Sequence, residues 1–433
     1  MKKRKINILL NIVLLCVCVC SIAFGVYSAK TASLNVGGTI GFNAHNCKVR
    51  VLGKITGAVD SSNNALPEST ASLNYQESAS TGKLIDGTSE SWDFGKIYFD
   101  DLNVEGNGVA TDIVFTFTLI NESTYFDVIA TLNVDKLPDS VQPNVAFSSD
   151  SNNSGYVCEL KKDKTQVTIT LKLKLLTKEQ ISSATKNINM TLSFEEVNKN
   201  QTASALGYTF SDGKISGVPA TTKTNATLNI PSYFYDTTNG VAFVKSLDND
   251  WSLITNVGEY YAISIPNSVT DMVGDSFADC SNIKTISIPY SITSLPDFAF
   301  NRCTGLTSIT IPNSVSTGIV WSAFYGCTSL TSITIPKSIT SIGLNAFSNC
   351  TSLKSVTMPD TVTKIAAQAF SGCTSLTSIN IPDSVTSIDD FAFEDCTSLT
   401  TTIGDGWINS TTQEAVSPST LLKDIDCNII RQA

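Results

Sequence analysis

The sequence predicts a mostly β protein: an N-terminal export or anchor helix, an antiparallel β-sandwich, and a solenoid of short parallel strands. Three observations predict it. A basic opening, Lys2, Lys3, Arg4 and Lys5, runs into an apolar stretch over residues 6–27. Alternating, strand-like segments then recur up to residue 197 without a fixed period. From residue 261 onward one unit of 23 or 24 residues returns six times in phase, and internal repetition of that length marks a solenoid.

The first element sets the compartment. Cations followed by an apolar run form the n- and h-regions of an export segment, and the run is long enough to cross a bilayer as a helix. Val26 and Ser28 offer a small-residue cleavage site before Ala29, so residues 1–29 read as a cleaved signal or a retained anchor. No second apolar span follows. A lipid-modified cysteine needs a small residue before it, and Leu15, Val17 and Val19 precede Cys16, Cys18 and Cys20. The chain carries a net charge of -10 and only 16% charged residues. An acidic surface of uncharged polar groups excludes a nucleic-acid partner, which requires a basic patch. Contact with a membrane is expected only through the N-terminal segment, if it stays uncleaved.

Residues 30–200 form the second element. Segments 32–42, 47–55, 111–119, 125–134, 165–175 and 188–194 are extended, and 111–119 alternates apolar with polar as a half-buried strand does. Turn-rich connections such as Glu105-Gly-Asn-Gly108 separate them, and an antiparallel β-sandwich follows. Thr177-Lys-Glu-Gln180 is the one helical start. The domain resembles the TasA and camelysin group of secreted fibre and surface proteins, on the strength of its place behind the export segment, the texture of residues 26–41 and the turn Asn121-Glu-Ser-Thr. That resemblance implies a jelly-roll core.

Residues 201–260 read as a divergent capping region with an insertion, because Leu228-Asn-Ile-Pro231 looks like a repeat start yet lies 35 residues before Pro266. The regular part covers residues 261–402, and residues 403–433 close it as a C-terminal cap. Pro266, Pro289, Pro312, Pro336, Pro359 and Pro382 form one column. Phe277, Phe300, Phe324, Phe347, Phe370 and Phe393 form a second, and Cys280, Cys303, Cys327, Cys350, Cys373 and Cys396 a third, three residues beyond each Phe. In the cleanest copy Leu330, Ile333 and Ile335 show Leu-x-x-Leu-x-Leu spacing, which turns aliphatic side chains of a short strand inward. Pro336 ends that strand, having no N–H for a ladder. Ile339 and Ile342 belong to a second extended segment on the opposite wall, and residues 345–350 turn Phe347 inward. The 24-residue interval after Pro312 is expected to bulge at Gly318-Ile-Val-Trp321 and bring Trp321 to the surface.

This unit resembles the BspA-type leucine-rich repeat of bacterial and protist surface proteins. The resemblance implies a secreted or cell-surface recognition protein that attaches to host matrix or to neighbouring cells, through an extracellular protein or glycan ligand that the sequence does not identify. The alternative is a structural component of extracellular fibres or envelope assembled through the sandwich.

Chemistry is sparse. The single histidine, His45, lies two residues from Cys47 and excludes the usual zinc and Ser-His-Asp constellations; no phosphate loop occurs. Asp100-Asp101 and Asp248-Asn-Asp250 lack the spacing of a calcium loop. No catalytic residue, metal ligand or cofactor is expected, and the chain is read as a non-enzyme. The cysteine column is expected to be a ladder of buried thiols, because equivalent residues in stacked turns have parallel Cα–Cβ vectors, whereas a disulfide draws Cβ atoms to about 3.8 Å. Cys47 and Cys158 remain a possible pair. The candidate ligand-binding surface is the strand face, with Ser287, Thr310, Thr334, Thr357 and Asn380 outward between the buried aliphatics and Ser308, Ser332, Ser355 and Ser378 beside them.

Overall fold

The computed structural model describes residues 32–431 apart from 46–47, 60–82, 87–89, 103–111, 124–125, 135–136, 138–140, 149–151, 163–165, 176–185, 220–225 and 248–259. The export segment, Cys47, the helical start at Thr177 and Asp248-Asn-Asp250 lie outside the described residues. Among those residues no helix is long and apolar enough to cross a membrane, and the one helical element is a 3-10 turn at Leu422–Asp424.

Among the described residues eleven strands form the first domain: β1 (Ala32–His45), β2 (Lys48–Val59), β3 (Lys83–Asp86), β4 (Glu90–Leu102), β5 (Asp112–Asn121), β6 (Val128–Asn133), β7 (Val141–Phe147), β8 (Asn153–Ser154), β9 (Val157–Leu160), β10 (Gln166–Leu175) and β11 (Lys186–Glu196). They make two sheets, ordered β4-β1-β11-β6-β9-β8 and β3-β2-β5-β10-β7. Pairing is antiparallel as expected, with one refinement: β1 runs parallel to β11 from Val36↔Lys186 to His45↔Glu195. A parallel pair needs a long crossover, which the rest of the sandwich supplies. Alternation along β5 is realised side chain by side chain. Phe115, Phe117 and Leu119 are buried while Thr116 and Thr118 are half-buried, and Leu171 and Leu173 of the neighbouring β10 are buried as well. Pro143 lies on β7, an edge strand, where a missing N–H costs no ladder bond. At the end of β5, Asn121 is fully buried and satisfied: its Nδ2 donates to the carbonyls of Phe126 and Leu160 at 3.0 Å each, and its Oδ1 accepts Ser123 N–H at 2.9 Å. Cys158, on β9, is a buried free thiol.

The solenoid has two walls. The strand wall stacks residues 226–229, 260–264, 285–287 and 308–310 in one parallel sheet and 332–334 with 355–357 in another. The second wall pairs Ile215, Leu247 and Met272 on one side, and Ile319, Ile342, Ile365 and Ile388 on the other. Between the walls each proline opens a turn. The carbonyls of Pro266, Pro289, Pro312, Pro336, Pro359 and Pro382 accept the N–H three residues on, at 3.0 to 3.3 Å, and the donor is a buried Val or Ile in every copy.

The region before residue 261 holds a true repeat turn. Leu228 pairs with Ile263 in the strand wall, so the repeat begins one turn earlier than the even spacing shows. The surplus length includes a hairpin, Tyr233–Asp236 with Gly240–Phe243. At the other end Ile429–Arg431 runs antiparallel to Ser387–Ile388 and to Trp407–Asn409. That reversal covers the open edge of the second wall, as natural sheets require. Arg431 lies over the buried Trp407 ring at 5.0 Å and reaches Asp383 at 2.7 Å.

The extra residue after Pro312 lies elsewhere than expected. Val315 and Ile319 keep their buried places, so the insertion is absorbed at Ser316-Thr317-Gly318, where Gly318 takes φ 102°. Trp321 is 47% exposed because its column faces outward, with Asp297 and Leu344 as its equivalents in the flanking turns.

Candidate binding face of the solenoid

The three columns read from the sequence become three ladders. Ring centroids of Phe277, Phe300, Phe324, Phe347, Phe370 and Phe393 lie 5.2 to 5.6 Å apart with interplanar angles of 13° or less, and all six are buried. The six ladder cysteines are likewise buried and free. Each Sγ from Cys303 to Cys396 points at the carbonyl of the Phe one turn back, at 2.9 to 3.2 Å. That same carbonyl takes the N–H of its own repeat's cysteine. The thiol is therefore a compact apolar group with a weak donor for a carbonyl's second lone pair, a role alanine cannot fill. Burial pushes the Cys280 thiol up to about 12 and raises Cys303 and Cys350 as well. Cys373 is raised first by its hydrogen bond with Cys396 and then by burial. The hydrogen bond with Cys373 lowers Cys396 in turn. Neutral thiols are poor nucleophiles and poor metal ligands, and the four raised ones serve packing.

A hydroxyl ladder, not singled out from the sequence, runs two residues after the prolines. Ser291, Ser314, Ser338, Thr361 and Ser384 each donate to a carbonyl of the preceding turn. The signal was present as a recurring Ser or Thr, but its spacing did not distinguish a structural hydroxyl from a surface one.

On the strand wall every three-residue strand from 285 onward has its central residue buried, with Ser308, Thr310, Ser332, Thr334, Ser355 and Thr357 exposed beside the buried Ile309, Ile333 and Val356. Ser287 and Asn380 are exposed in the same column, and register aligns Ser287 with Thr310 and Thr334 with Thr357. The expected row is thus assembled, in two segments rather than one. The break falls between Thr310 and Thr334, the turn with the extra residue, where Thr331 N–H reaches Thr307 O only at 3.4 Å. Tyr261, 45% exposed, extends the face at its N-terminal end.

Hydroxyls on this wall divide into two kinds. Thr307 and Thr400 donate to Lys284 O and Thr377 O at 3.1 Å, tying turn to turn. The side chains of Thr310, Thr334 and Thr357, three residues further along each turn, make no hydrogen bond to the protein among the described residues. Their donors and acceptors face solvent. Titratable or metal-binding clusters are missing from this face: among the described residues no group of three or more His, Cys, Asp or Glu is placed to hold a metal.

A family model described as "BspA type Leucine rich repeat region" matches residues 255–350 and 317–430, with six copies. The solenoid is a BspA-type leucine-rich repeat region. Among solved structures, a leucine rich cell surface protein of Faecalibacterium prausnitzii is 31% identical over 45% of this chain and 51% of that one, with a TM-score of 0.38. A leucine-rich repeat protein of Bacteroides ovatus is 27% identical over 44% of this chain and 50% of that one, at a TM-score of 0.32. The leucine rich repeat protein of T. pallidum is 26% identical over 33% of this chain and 79% of that one, at 0.28. The chain spans about half the length of the first two. No curated protein matches it. The BspA-type columns thus account for the ladders, and the outward row of the strand wall is what the repeats leave open.

Proposed function

We propose that this chain is an extracytoplasmic recognition protein whose BspA-type solenoid attaches to a protein or glycan of host matrix or of a neighbouring cell. One observation carries the reading: the outward hydroxyls of Thr310, Thr334 and Thr357, one in each of three successive turns, are exposed and unused by the fold, while neighbouring hydroxyls are consumed in turn-to-turn bonds. A rigid row of free donors and acceptors presents hydrogen-bonding groups without an ordering cost. The basic, apolar N-terminal segment supports export, and the Faecalibacterium prausnitzii relative is described as a cell surface protein.

The test uses the full chain carrying Thr310→Lys, Thr334→Lys and Thr357→Lys together. Exposed β positions tolerate lysine, so thermal unfolding should be unchanged. Binding to immobilised matrix proteins, mucin or whole bacterial cells should be lost. Undiminished binding by the triple variant would remove the strand face from the site. If the unaltered chain binds none of the three surfaces, attachment itself fails as a function.

A further inference from the structure

A second surface lies on the opposite wall, away from the threonine row. Phe298 and Trp321 stand in adjacent turns with ring centroids 4.7 Å apart and planes tilted by 58°. Leu344 follows in the next turn at 40% exposure, and Trp321 is 47% exposed. Backbone bonds from Phe298 N to Trp321 O and from Ser322 N to Leu344 O hold the three in step. Two exposed carboxylates stand on the N-terminal side: Asp275 in the turn before Phe298 and Asp297 in the turn before Trp321. Asp297 Oδ1 also accepts the backbone N–H of Trp321 at 3.1 Å, which holds the carboxylate against that turn. Neither Asp275 nor Asp297 forms an ion pair among the described residues, whereas Lys364 of the same wall is engaged by Asp389 at 2.8 Å.

An exposed tryptophan braced by a second ring, with the unpaired Asp297 carboxylate one turn away, has the chemistry that recognises a cation. The ring quadrupole attracts an ammonium or guanidinium over its face, and the attraction grows where a carboxylate adds its own field. The whole surface has the matching sign: the chain carries -10, and residues 263–402 hold ten acidic against five basic side chains. We infer that the Phe298–Trp321–Leu344 ledge docks a lysine- or arginine-bearing segment of a protein partner, with the cation between Trp321 and Asp297 and the aliphatic stem or a neighbouring apolar side chain on Leu344. This inference rests on the chain being a recognition protein and names a second contact that the strand face does not supply.

Full-length protein labelled with 5-fluorotryptophan provides the readout, since its four tryptophans give separate fluorine signals and Trp321→Phe assigns the one required. The probes are acetyl-Leu-Arg-Leu-amide, its Gln and Glu counterparts, and xylohexaose. Only the arginine peptide should move the Trp321 signal, with affinity falling at least tenfold in Asp297→Asn, which keeps an acceptor for Trp321 N–H and removes the charge, and calorimetry should show the same loss in Trp321→Ala, which carries no label at 321. Equal shifts from the glutamine peptide, a shift from xylohexaose alone, or unchanged affinity in Asp297→Asn would each overturn the inference. The triple threonine variant should bind the peptide as well as the unaltered chain does. Intact peptide binding in a chain that adheres to nothing would therefore sink the attachment reading and leave the ledge standing.

Discussion

A phenylalanine in the ladder and a threonine in the outward row differ by one question, whether the fold has already used the side chain. Phe347 stacks on both neighbours at 5.3 Å and is fully buried, so Phe347→Ala should cost about 3–5 kcal/mol in chemical denaturation. Thr334→Ala removes an exposed, unbonded hydroxyl and should stay within about 0.5 kcal/mol. Equal costs would refute the assignment of inward and outward columns. The thiols give a second residue-scale prediction. The native values of Cys280, Cys303, Cys350 and Cys373 lie above the ordinary 9.0, with Cys280 at about 12. Above pH 9 the unfolded chain loses thiol protons that the native chain retains, so the native state holds more protons and stability falls as pH rises. Thermal unfolding at pH 8 and pH 10.5 should show that loss, and iodoacetamide at pH 8 should leave the ladder cysteines unlabelled until the chain unfolds. Rapid labelling of the native ladder would contradict its burial.

At the scale of elements, each wall is interrupted where one residue breaks the pattern. The second wall is sustained by N–H groups of Gly343, Ala366 and Asp389, each donating to the carbonyl of the isoleucine one turn back. Pro296 stands at the equivalent place and has no N–H to give, and the wall divides there. Gly343 shows how close the backbones pass: a Cβ at that position would meet Ile319 O at 2.6 Å. Gly343→Ala should therefore destabilise by about 1–3 kcal/mol, measured by urea unfolding, while Ala366→Gly should not reproduce that steric cost. The C-terminal cap has a separate duty. Ile429–Arg431 occupies the last edge of the wall, and a chain truncated after residue 426 should self-associate in light scattering because the strand edge is uncovered. A strictly monomeric truncation would show that the cap is dispensable.

At the scale of the whole molecule, the sandwich is seated against the proline corners of the early turns. Tyr156 N–H donates to Asn267 O at 2.8 Å, its hydroxyl reaches Tyr290 O at 3.1 Å, and Asn267 Nδ2 donates to Asn133 at 2.9 Å. Ile129 and Val157 of the sandwich share a small apolar core with Tyr233, Val241 and Phe243 of the inserted hairpin. Gly155 makes the approach feasible: it adopts φ 56°, and a Cβ there would lie 2.1 Å from Asn267 O. Gly155→Ala should separate the two parts, raising the radius of gyration in solution scattering while circular dichroism stays unchanged. An unaltered radius would mean that other contacts hold the arrangement. Because the sandwich takes the corners, the threonine row and the Trp321 ledge are left open on both walls.

Much of this was legible in the residues. A period of 23 with Pro, Phe and Cys in step dictates stacked turns, since one turn cannot bury its own apolar side and an identical neighbour can. The same period placed Ile333 inward and Thr334 outward, and denied the cysteines a disulfide geometry. Other features depend on meetings across long separations, which periodicity does not carry. The parallel pairing of β1 with β11, the hairpin inserted after residue 231, the Sγ-to-carbonyl bonds and the seat of Tyr156 on Asn267 belong to this class. Trp321 shows the division most clearly. A bulge was expected to expose it, whereas its exposure follows from a column that faces outward, and three-dimensional register is what sets Phe298 against its ring and Asp297 at its backbone N–H. A column of side chains is a property of the sequence; what stands in the next column is settled only when the turns are stacked.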